Sequence, residues 1–371
     1  MTALAFLSLA IWVYLLAAHG KFWQAGPVLT SAVPNQAPSV AIIVPARDEA
    51  ASIADCLRSL LAQDYAGKFR VIMVDDGSVD RTGDIARALG DPLLTVIIGK
   101  NRPVGWSGKL WAVAQGIATA DDVELFLLTD ADIIHNPHHL ATLMARAERG
   151  DLDMVSEMVA LSCESLPERA LMPAFVFFFQ LLYPFAWVND PLISTAAAAG
   201  GSILIRRRAL ENSGGIQAIR GALIDDVALA RAVKKGGKIW LGHSALARSI
   251  RPYPDVGGIW RMITRTAYTQ LQYSLPLLIL TVLGMIVVWL VPLTAAIFDD
   301  GWSRLFGVLA WIGAMAAFLP TLQRFGRSPA WALALPLIAA FYIAATVASA
   351  IAYHRGRGAV WKNRAYGGAG P

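Results

Sequence analysis

The sequence predicts an α/β globular domain joined to apolar segments long enough to cross a bilayer. Three observations predict it. Charge is missing from residues 1–20, 273–298, 305–322 and 329–353, so all 32 basic and 27 acidic side chains of the 371-residue chain fall elsewhere. Overall 56% of the residues are apolar and 16% charged, against about 45–50% and about 25% in ordinary soluble domains. From residue 39 to 130, short apolar runs alternate with helical spacing, the pattern of a parallel α/β sheet. A wholly soluble enzyme, a disordered chain and a disulfide scaffold are excluded.

Residues 1–20 lack the basic n-region and small-residue cleavage site of a signal peptide. They read as an uncleaved transmembrane anchor, with Lys21 on the cytoplasmic side. Residues 21–38, rich in Pro, Ser and Ala from Gly26 onward, read as a linker. The globular domain, residues 39–272, opens with the run Val40–Val44, ended by Pro45. Ser52–Gln63 then has helical spacing (Ile53, Leu57, Leu60, Leu61) behind Ser52 as N-cap. Phe69–Val74, Leu93–Ile98 and Leu125–Thr129 supply further strands. Ligands of such sheets bind beyond the carboxyl ends of the strands, which singles out the loops beginning at Pro45, Asp75 and Asp130.

Residues 171–188 (LMPAFVFFFQLLYPFAWV) are uncharged and almost long enough to span a bilayer. Spanning there would put the acidic motifs before and after them on opposite sides. They read as an interfacial or re-entrant helix, with a buried core helix as the alternative. Its Phe-rich face (Phe175, Phe177, Phe178, Phe179, Phe185, Trp187) would meet lipid; Arg206, Arg207, Arg208, Arg248 and Arg251 downstream could then hold anionic headgroups, although solvated surface charge is the expected role for most of them. Residues 273–353 carry three C-terminal transmembrane helices. Four full crossings would put the 354–371 tail outside, against the positive-inside preference. Residues 1–298 balance in charge, so the net +5 comes from the C-terminal end, including Arg355, Arg357, Lys362 and Arg364. That marks a membrane-proximal tail and no nucleic-acid face. Cys56 and Cys163 have neither metal spacing nor a disulfide framework and read as packing residues.

Three acidic clusters carry the chemistry. Asp75-Asp76-Gly77-Ser78 ends one strand; adjacent carboxylates make poor core, and the plain alternative is a solvated turn with Ser78 or Asp80 as N-cap. Asp130-Ala131-Asp132 ends another, and alternate residues of an extended segment point the same way. Both carboxylates can therefore face one hard cation, Mg²⁺ or Mn²⁺, that diphosphate oxygens also ligate. Asp225-Asp226 opens a helical run, where one Asp caps and the other is left to act as a general base. Lys109, in Gly105-Trp106-Ser107-Gly108-Lys109, reaches a phosphate from a Gly-rich loop that lacks the Walker spacing.

Together these residues resemble the family-2 glycosyltransferases with a GT-A fold. The matching positions are Pro45-Ala46-Arg47-Asp48-Glu49, 75–78, 130–132, Gly108-Lys109, Gly200-Gly201 before Ile203–Arg207, and Asp225-Asp226, in order across about 39–270. The resemblance implies an inverting transfer of a sugar from a nucleotide-diphosphate sugar. Pro45, Arg47, Glu49, Asp75, Asp76, Lys109 and Asp130 would bind the donor, Asp130 and Asp132 the metal. Asp226 matches the base that deprotonates the acceptor hydroxyl, with Asp225 beside it. Anchor, domain and C-terminal helices together are most similar to the bacterial hopene-associated glycosyltransferases, with Trp361–Tyr366 part of that likeness. This implies a membrane-lipid acceptor such as a hopanoid, and a catalytic domain on the cytoplasmic side of the bacterial inner membrane. Processive relatives carry Gln-x-x-Arg-Trp, whereas this chain reads Gly257-Gly258-Ile259-Trp260-Arg261-Met262, which argues against polymer binding. A polyprenyl-phosphate, ceramide or diacylglycerol acceptor shares every motif, and a degenerate membrane scaffold is the non-enzymatic alternative.

Overall fold

The computed structural model describes every residue except 121, 357–359, 362–363 and 366–371. Arg357, Lys362 and most of the Trp361–Tyr366 likeness therefore lie outside the described residues, or have no described side chains. The chain divides into two compact units: one of Pro27–Ser162 and Trp187–Pro252, the other of Met1–Gly26, Cys163–Ala186 and Tyr253–Pro371.

The first unit is built on a sheet of β1 (Val28–Leu29), β2 (Val40–Ala46), β3 (Phe69–Asp75), β4 (Leu94–Ile98), β5 (Leu125–Thr129), β6 (Ile133–His135), β7 (Met154–Ala160), β8 (Ser202–Arg206) and β9 (Ile239–Ser249). Their order is β1-β9-β7-β8-β5-β2-β3-β4, with β6 paired to β9. Every residue of β2 is buried, as expected of a near-continuous apolar run covered on both faces. Ile42, Val44, Met73 and Leu127 form one core with Leu57 and Leu60 of the helix Ile53–Leu61. Cys56 lies in the same core, and burial pushes its thiol pKa up, so it is an inert packing group.

Two features differ from the sequence expectation. The sheet is mixed: β2, β3, β4 and β5 run parallel, but β8 is antiparallel to both β5 and β7. The chain re-enters at Gly200-Gly201, where Ser202 faces Thr129 at the carboxyl end of β5, and so has to run back along it. The linker also contributes structure, because Val28–Leu29 pairs with His243–Ser244 as an edge strand.

The second unit is helical. Leu275–Phe298, Gly301–Arg324 and Pro329–His354 are each long and apolar enough to cross a membrane. The first helix, Thr2–Ala17, has 16 residues; at ~1.5 Å per residue it rises about 24 Å, short of the ~30 Å hydrocarbon core. It packs against Gly301–Arg324 and Val291–Phe298. Trp12 sits edge-on to Trp289 with ring centroids 5.0 Å apart, and its indole N–H donates to Val288 O at 3.0 Å. That carbonyl precedes Pro292 by four residues, and proline has no N–H to offer it. The π turn at Ile286–Leu290 and the indole together accommodate the break.

Within 171–188, the helix Leu166–Leu182 starts at a capping box made by Ser165 and Glu168. Phe177 is fully buried, with the rings of Phe22, Trp289 and Phe318 at 5.5, 6.0 and 5.1 Å. Phe178 lies 4.8 Å from Tyr342. At these two positions the Phe-rich face is turned into helix packing and not outward.

Candidate active site

The candidate site lies in the sheet unit, where the parallel strands stop. After β2 and β3, two loops are laced together. Asp48 N donates to Ser78 Oγ (3.0 Å), Glu49 N to Thr82 Oγ1 (2.8 Å), Ala50 N to Asp80 Oδ2 (2.9 Å), and Val79 N to Asp48 Oδ1 (2.9 Å). Neither Ser78 nor Asp80 caps the helix Thr82–Arg87, whose N-cap is Arg81. Hydrogen bonds from Thr82 and Ala50 instead hold the Asp80 carboxyl below its ordinary pKa, against the opposing effect of burial. Gly77 turns the chain with φ of +68°, a conformation that suits glycine. Arg47 donates to the backbone oxygens of Asp76 and Gly77. Asp75 Oδ1 accepts from Ser78 N at 2.8 Å, and Asp76 is 3% exposed.

A second group forms around Lys109. Its helix, Gly108–Ala118, begins behind Ser107, whose side chain accepts from Leu110 N, so Lys109 stands in the first helical turn and not in the loop. Lys109 Nζ lies 2.9 Å from Asp130 Oδ1 and 3.1 Å from Asp225 Oδ2. Asp225 and Asp226 occupy the first turn of the helix Asp225–Lys234, behind Ile224 as N-cap. Asp226 Oδ2 accepts from Gly200 N at 2.9 Å and Oδ1 from its neighbour Val227 N at 2.7 Å. Burial first, and then the Asp225 charge, push the Asp226 pKa up to about 7. Burial likewise raises that of Asp130, against the pull of Lys109. Pro45, Lys109, Asp130, Gly200, Asp225 and Asp226 line one narrow cleft, with Thr129 and the apolar Leu110, Ile203 and Ile219. A side chain at Gly200 would meet Lys109 Nζ at 3.3 Å and Asp226 Oδ2 at 3.4 Å, so glycine keeps that wall open.

Asp132 belongs to a third group. Its Oδ2 accepts from Arg251 Nε at 2.7 Å and Ser249 Oγ at 3.3 Å. The same guanidinium reaches Glu49 Oε1 at 2.6 Å. Arg251 thus bridges the loop after β2 to the Asp130–Asp132 turn, and these two carboxylates keep it firmly protonated against the effect of burial. This corrects its expected place at a lipid headgroup. Arg206 and Arg207 are likewise turned inward, donating to Leu152 O at 3.0 Å and Val123 O at 2.6 Å. Sequence reasoning missed Arg251 as part of this site, and also the Gly200 N–H. The available signal was a basic residue two positions beyond the carboxyl end of β9.

Among the described residues, no group of three His, Cys, Asp or Glu side chains could hold a metal alone. The donor set still fits a divalent cation. Lys109 takes Oδ1 of Asp130 and Arg251 takes Oδ2 of Asp132, so each pair uses one carboxylate oxygen of two. Mg²⁺-type ions are commonly held by one or two carboxylates with phosphates completing the shell.

The fold is similar to that of mannosyltransferase PcManGT from Pyrobaculum calidifontis, solved in complex with GDP-Man and Mn²⁺. The TM-score is 0.53 and the identity 22%, over 92% of this chain and 98% of that one. The mixed sheet, with acids at its strand ends, is a GT-A fold. The description "Glycosyl transferase family 2" matches residues 41–214. An N-acetylglucosaminyltransferase of Bradyrhizobium sp. (strain ANU 289) is 36% identical over 110 residues, 27% of this chain and 68% of that protein. The chain belongs to glycosyl transferase family 2. It is also 30% identical over 115 residues to an undecaprenyl-phosphate 4-deoxy-4-formamido-L-arabinose transferase of Shewanella sediminis, covering 30% of this chain and 34% of that one. The chain spans 28%, 66% and 26% of the length of three curated relatives it matches.

Proposed function

We propose that this chain is a membrane-bound, inverting glycosyltransferase that moves a sugar from a nucleotide-diphosphate sugar to a lipid hydroxyl or phosphate. The observation that carries this reading is the convergence of Asp130, Lys109, Asp225 and Asp226 on one cleft. Glu49, Asp75 and Asp76, in the laced loops, bind the nucleoside, and Pro45 and Arg47 shape that edge. Asp130 and Asp132 would hold Mg²⁺ or Mn²⁺, which supplies charge neutralisation for the departing diphosphate. Lys109 fixes Asp130 and Asp225 in place from the first turn of its helix. Asp226, on a separate helix, accepts the acceptor's proton. Its two backbone N–H bonds orient the carboxylate, and a pKa near 7 suits a base working at neutral pH.

The acceptor is a membrane lipid, with the catalytic unit on the cytoplasmic side of the bacterial inner membrane. Support comes from the three membrane-length helices and from the similarity to a transferase named for undecaprenyl phosphate. A hopanoid acceptor follows from the sequence likeness, and a polyprenyl phosphate is the second reading, favoured by that relative. Purified protein in lipid nanodiscs, given nucleotide sugars and bacterial lipid extract, tests the reading by mass spectrometry. A glycosylated lipid made by the wild type and not by Asp226→Asn is expected; equal product from both contradicts the assignment. Addition to hopanoid or to polyprenyl phosphate separates the two acceptors.

A further inference from the structure

Behind the cleft runs a chain of buried polar side chains that the proposed chemistry does not use. Glu157 on β7, His139 at the start of the helix His139–Gly150, His135 on β6 and Thr129 at the end of β5 are 0%, 0%, 2% and 2% exposed. Glu157 Oε2 lies 2.6 Å from His139 Nε2, His139 Nδ1 lies 2.9 Å from His135 Nδ1, and His135 Nε2 lies 3.1 Å from Thr129 Oγ1. Thr129 Oγ1 in turn donates to Gly201 O at 2.8 Å.

Counting donors settles the protonation. A carbonyl only accepts, so the single hydroxyl proton of Thr129 is committed to Gly201. Thr129 Oγ1 must then accept from His135 Nε2–H. Each of the three bonds from Thr129 to Glu157 needs its own proton, and two neutral imidazoles bring only two. A third proton therefore resides in the chain. Burial, and next the neighbouring His139, hold the His135 pKa well below the ordinary histidine value, and the donor count places the extra proton within the His135–His139–Glu157 set. Whether drawn as imidazolium with carboxylate or imidazole with carboxylic acid, the set is neutral overall. Full burial favours that, because an uncompensated charge there is costly. Glu157 Oε1 has no hydrogen-bond partner among the described residues, and a shared proton lessens the charge it must carry.

The far end of the chain gives it a purpose. Thr129 directly precedes Asp130 and lines the cleft. Gly201 directly follows Gly200, whose N–H anchors Asp226. We propose that Glu157, His139, His135 and Thr129 are positioning residues, a buried chain retaining one proton that holds the strand end bearing Asp130 against the Gly200-Gly201 turn that anchors Asp226. The catalytic consequence rests on the transferase reading above.

Paired variants of the full chain in detergent test it. T129V removes the hydroxyl at nearly constant volume, and T129S restores it. E157L removes the acid, whereas the amide of E157Q brings its own proton to His139 Nε2. T129V and E157L are expected to lower kcat roughly ten- to hundredfold, since small misplacements of reacting groups are that costly. Donor KM should stay within about twofold, and T129S and E157Q within about threefold of wild type in kcat, the signature of a loss confined to the transition state. Equal losses in E157Q and E157L, or full activity in T129V, overturn the proposal. If E157L does not fold, the T129V and T129S pair decides. A second readout is independent of turnover. The chain has six histidines, so ¹⁵N-histidine labelling should reveal solvent-protected low-field imidazole protons at pH 8, kept in E157Q. Protected protons without any sugar transfer by the wild type would overturn the transferase reading and leave the proton count standing. Transfer without such protons would overturn the positioning chain alone.

Discussion

The two units treat their side chains in opposite ways. In the sheet unit titratable side chains are drawn inward: Asp76, Asp132, Glu157 and His139 are each 7% exposed or less, and hydrogen bonds hold Asp132, Glu157 and His139 there. In the helical unit apolar side chains are turned outward. Leu280, Phe298, Trp302 and Leu337 are 66%, 79%, 68% and 69% exposed. Buried acids are costly, and they concentrate at functional sites. Exposed aliphatic and aromatic side chains on membrane-length helices make sense only where the solvent is lipid. The contrast fits the proposed reading, a reaction in one unit and a lipid medium around the other.

The largest expected effect is in the sheet unit. Asp226→Asn should lower kcat by about 10²–10⁴-fold, the usual contribution of a positioned general base; steady-state kinetics on a soluble donor check it. Chelation should act on the same side of the comparison. EDTA is expected to abolish transfer and Mn²⁺ to restore it while far-ultraviolet circular dichroism stays unchanged, as the proposed metal role of Asp130 and Asp132 requires.

A smaller effect, on the other side, is expected at Phe177. Truncating a buried Phe to Ala typically costs about 3–5 kcal/mol, and Phe177 sits among Phe22, Trp289 and Phe318. Phe177→Ala should therefore lower the thermal midpoint in detergent and reduce donor hydrolysis and lipid transfer in parallel. A selective loss of lipid transfer would support the interfacial reading of residues 171–188. Smaller still is a pH effect. Because burial and Asp225 raise Asp226 to about 7, its basic form grows as pH rises, so kcat should climb from pH 6 to 8 and then level. The same sign costs stability. The native carboxyl keeps its proton well above the ordinary pKa of an unfolded Asp, so this group's stabilising contribution is present at acid pH and lost as pH rises through 7. A flat rate profile across that window would remove Asp226 as the base.

Much of the sheet unit was legible before its structure. The runs read as strands at 40–44, 69–74, 93–98 and 125–129 are Val40–Ala46, Phe69–Asp75, Leu94–Ile98 and Leu125–Thr129. The first and last are buried throughout, as continuous apolar runs must be, and Leu94–Ile98 is an apolar run on the sheet edge. The acids were legible because adjacent carboxylates are costly in a core and stand out at the ends of apolar runs. What escaped reading depends on distant pairing. Arg251 and Glu49 are 202 residues apart, and no local pattern distinguishes that arginine from Arg248 at a surface. Val28–Leu29 looks like linker because its partner, His243–Ser244, supplies the other half of the pairing. Phe177 reads as a lipid-facing ring until the helices that cover it are in place. Thr129, His135, His139 and Glu157 belong to three strands and a helix start, and their order appears only when the sheet is assembled.

The central claim is that the acid-lined cleft of the sheet unit performs sugar transfer with Asp226 as its base. It is tested most directly by single-turnover transfer from a radiolabelled nucleotide sugar to extracted bacterial lipid in nanodiscs, comparing wild type with Asp226→Asn at matched donor occupancy. The expected result is labelled lipid from the wild type and, from the variant, donor binding unchanged with transfer at least about 10²-fold slower. Transfer by the variant at the wild-type rate would contradict the account.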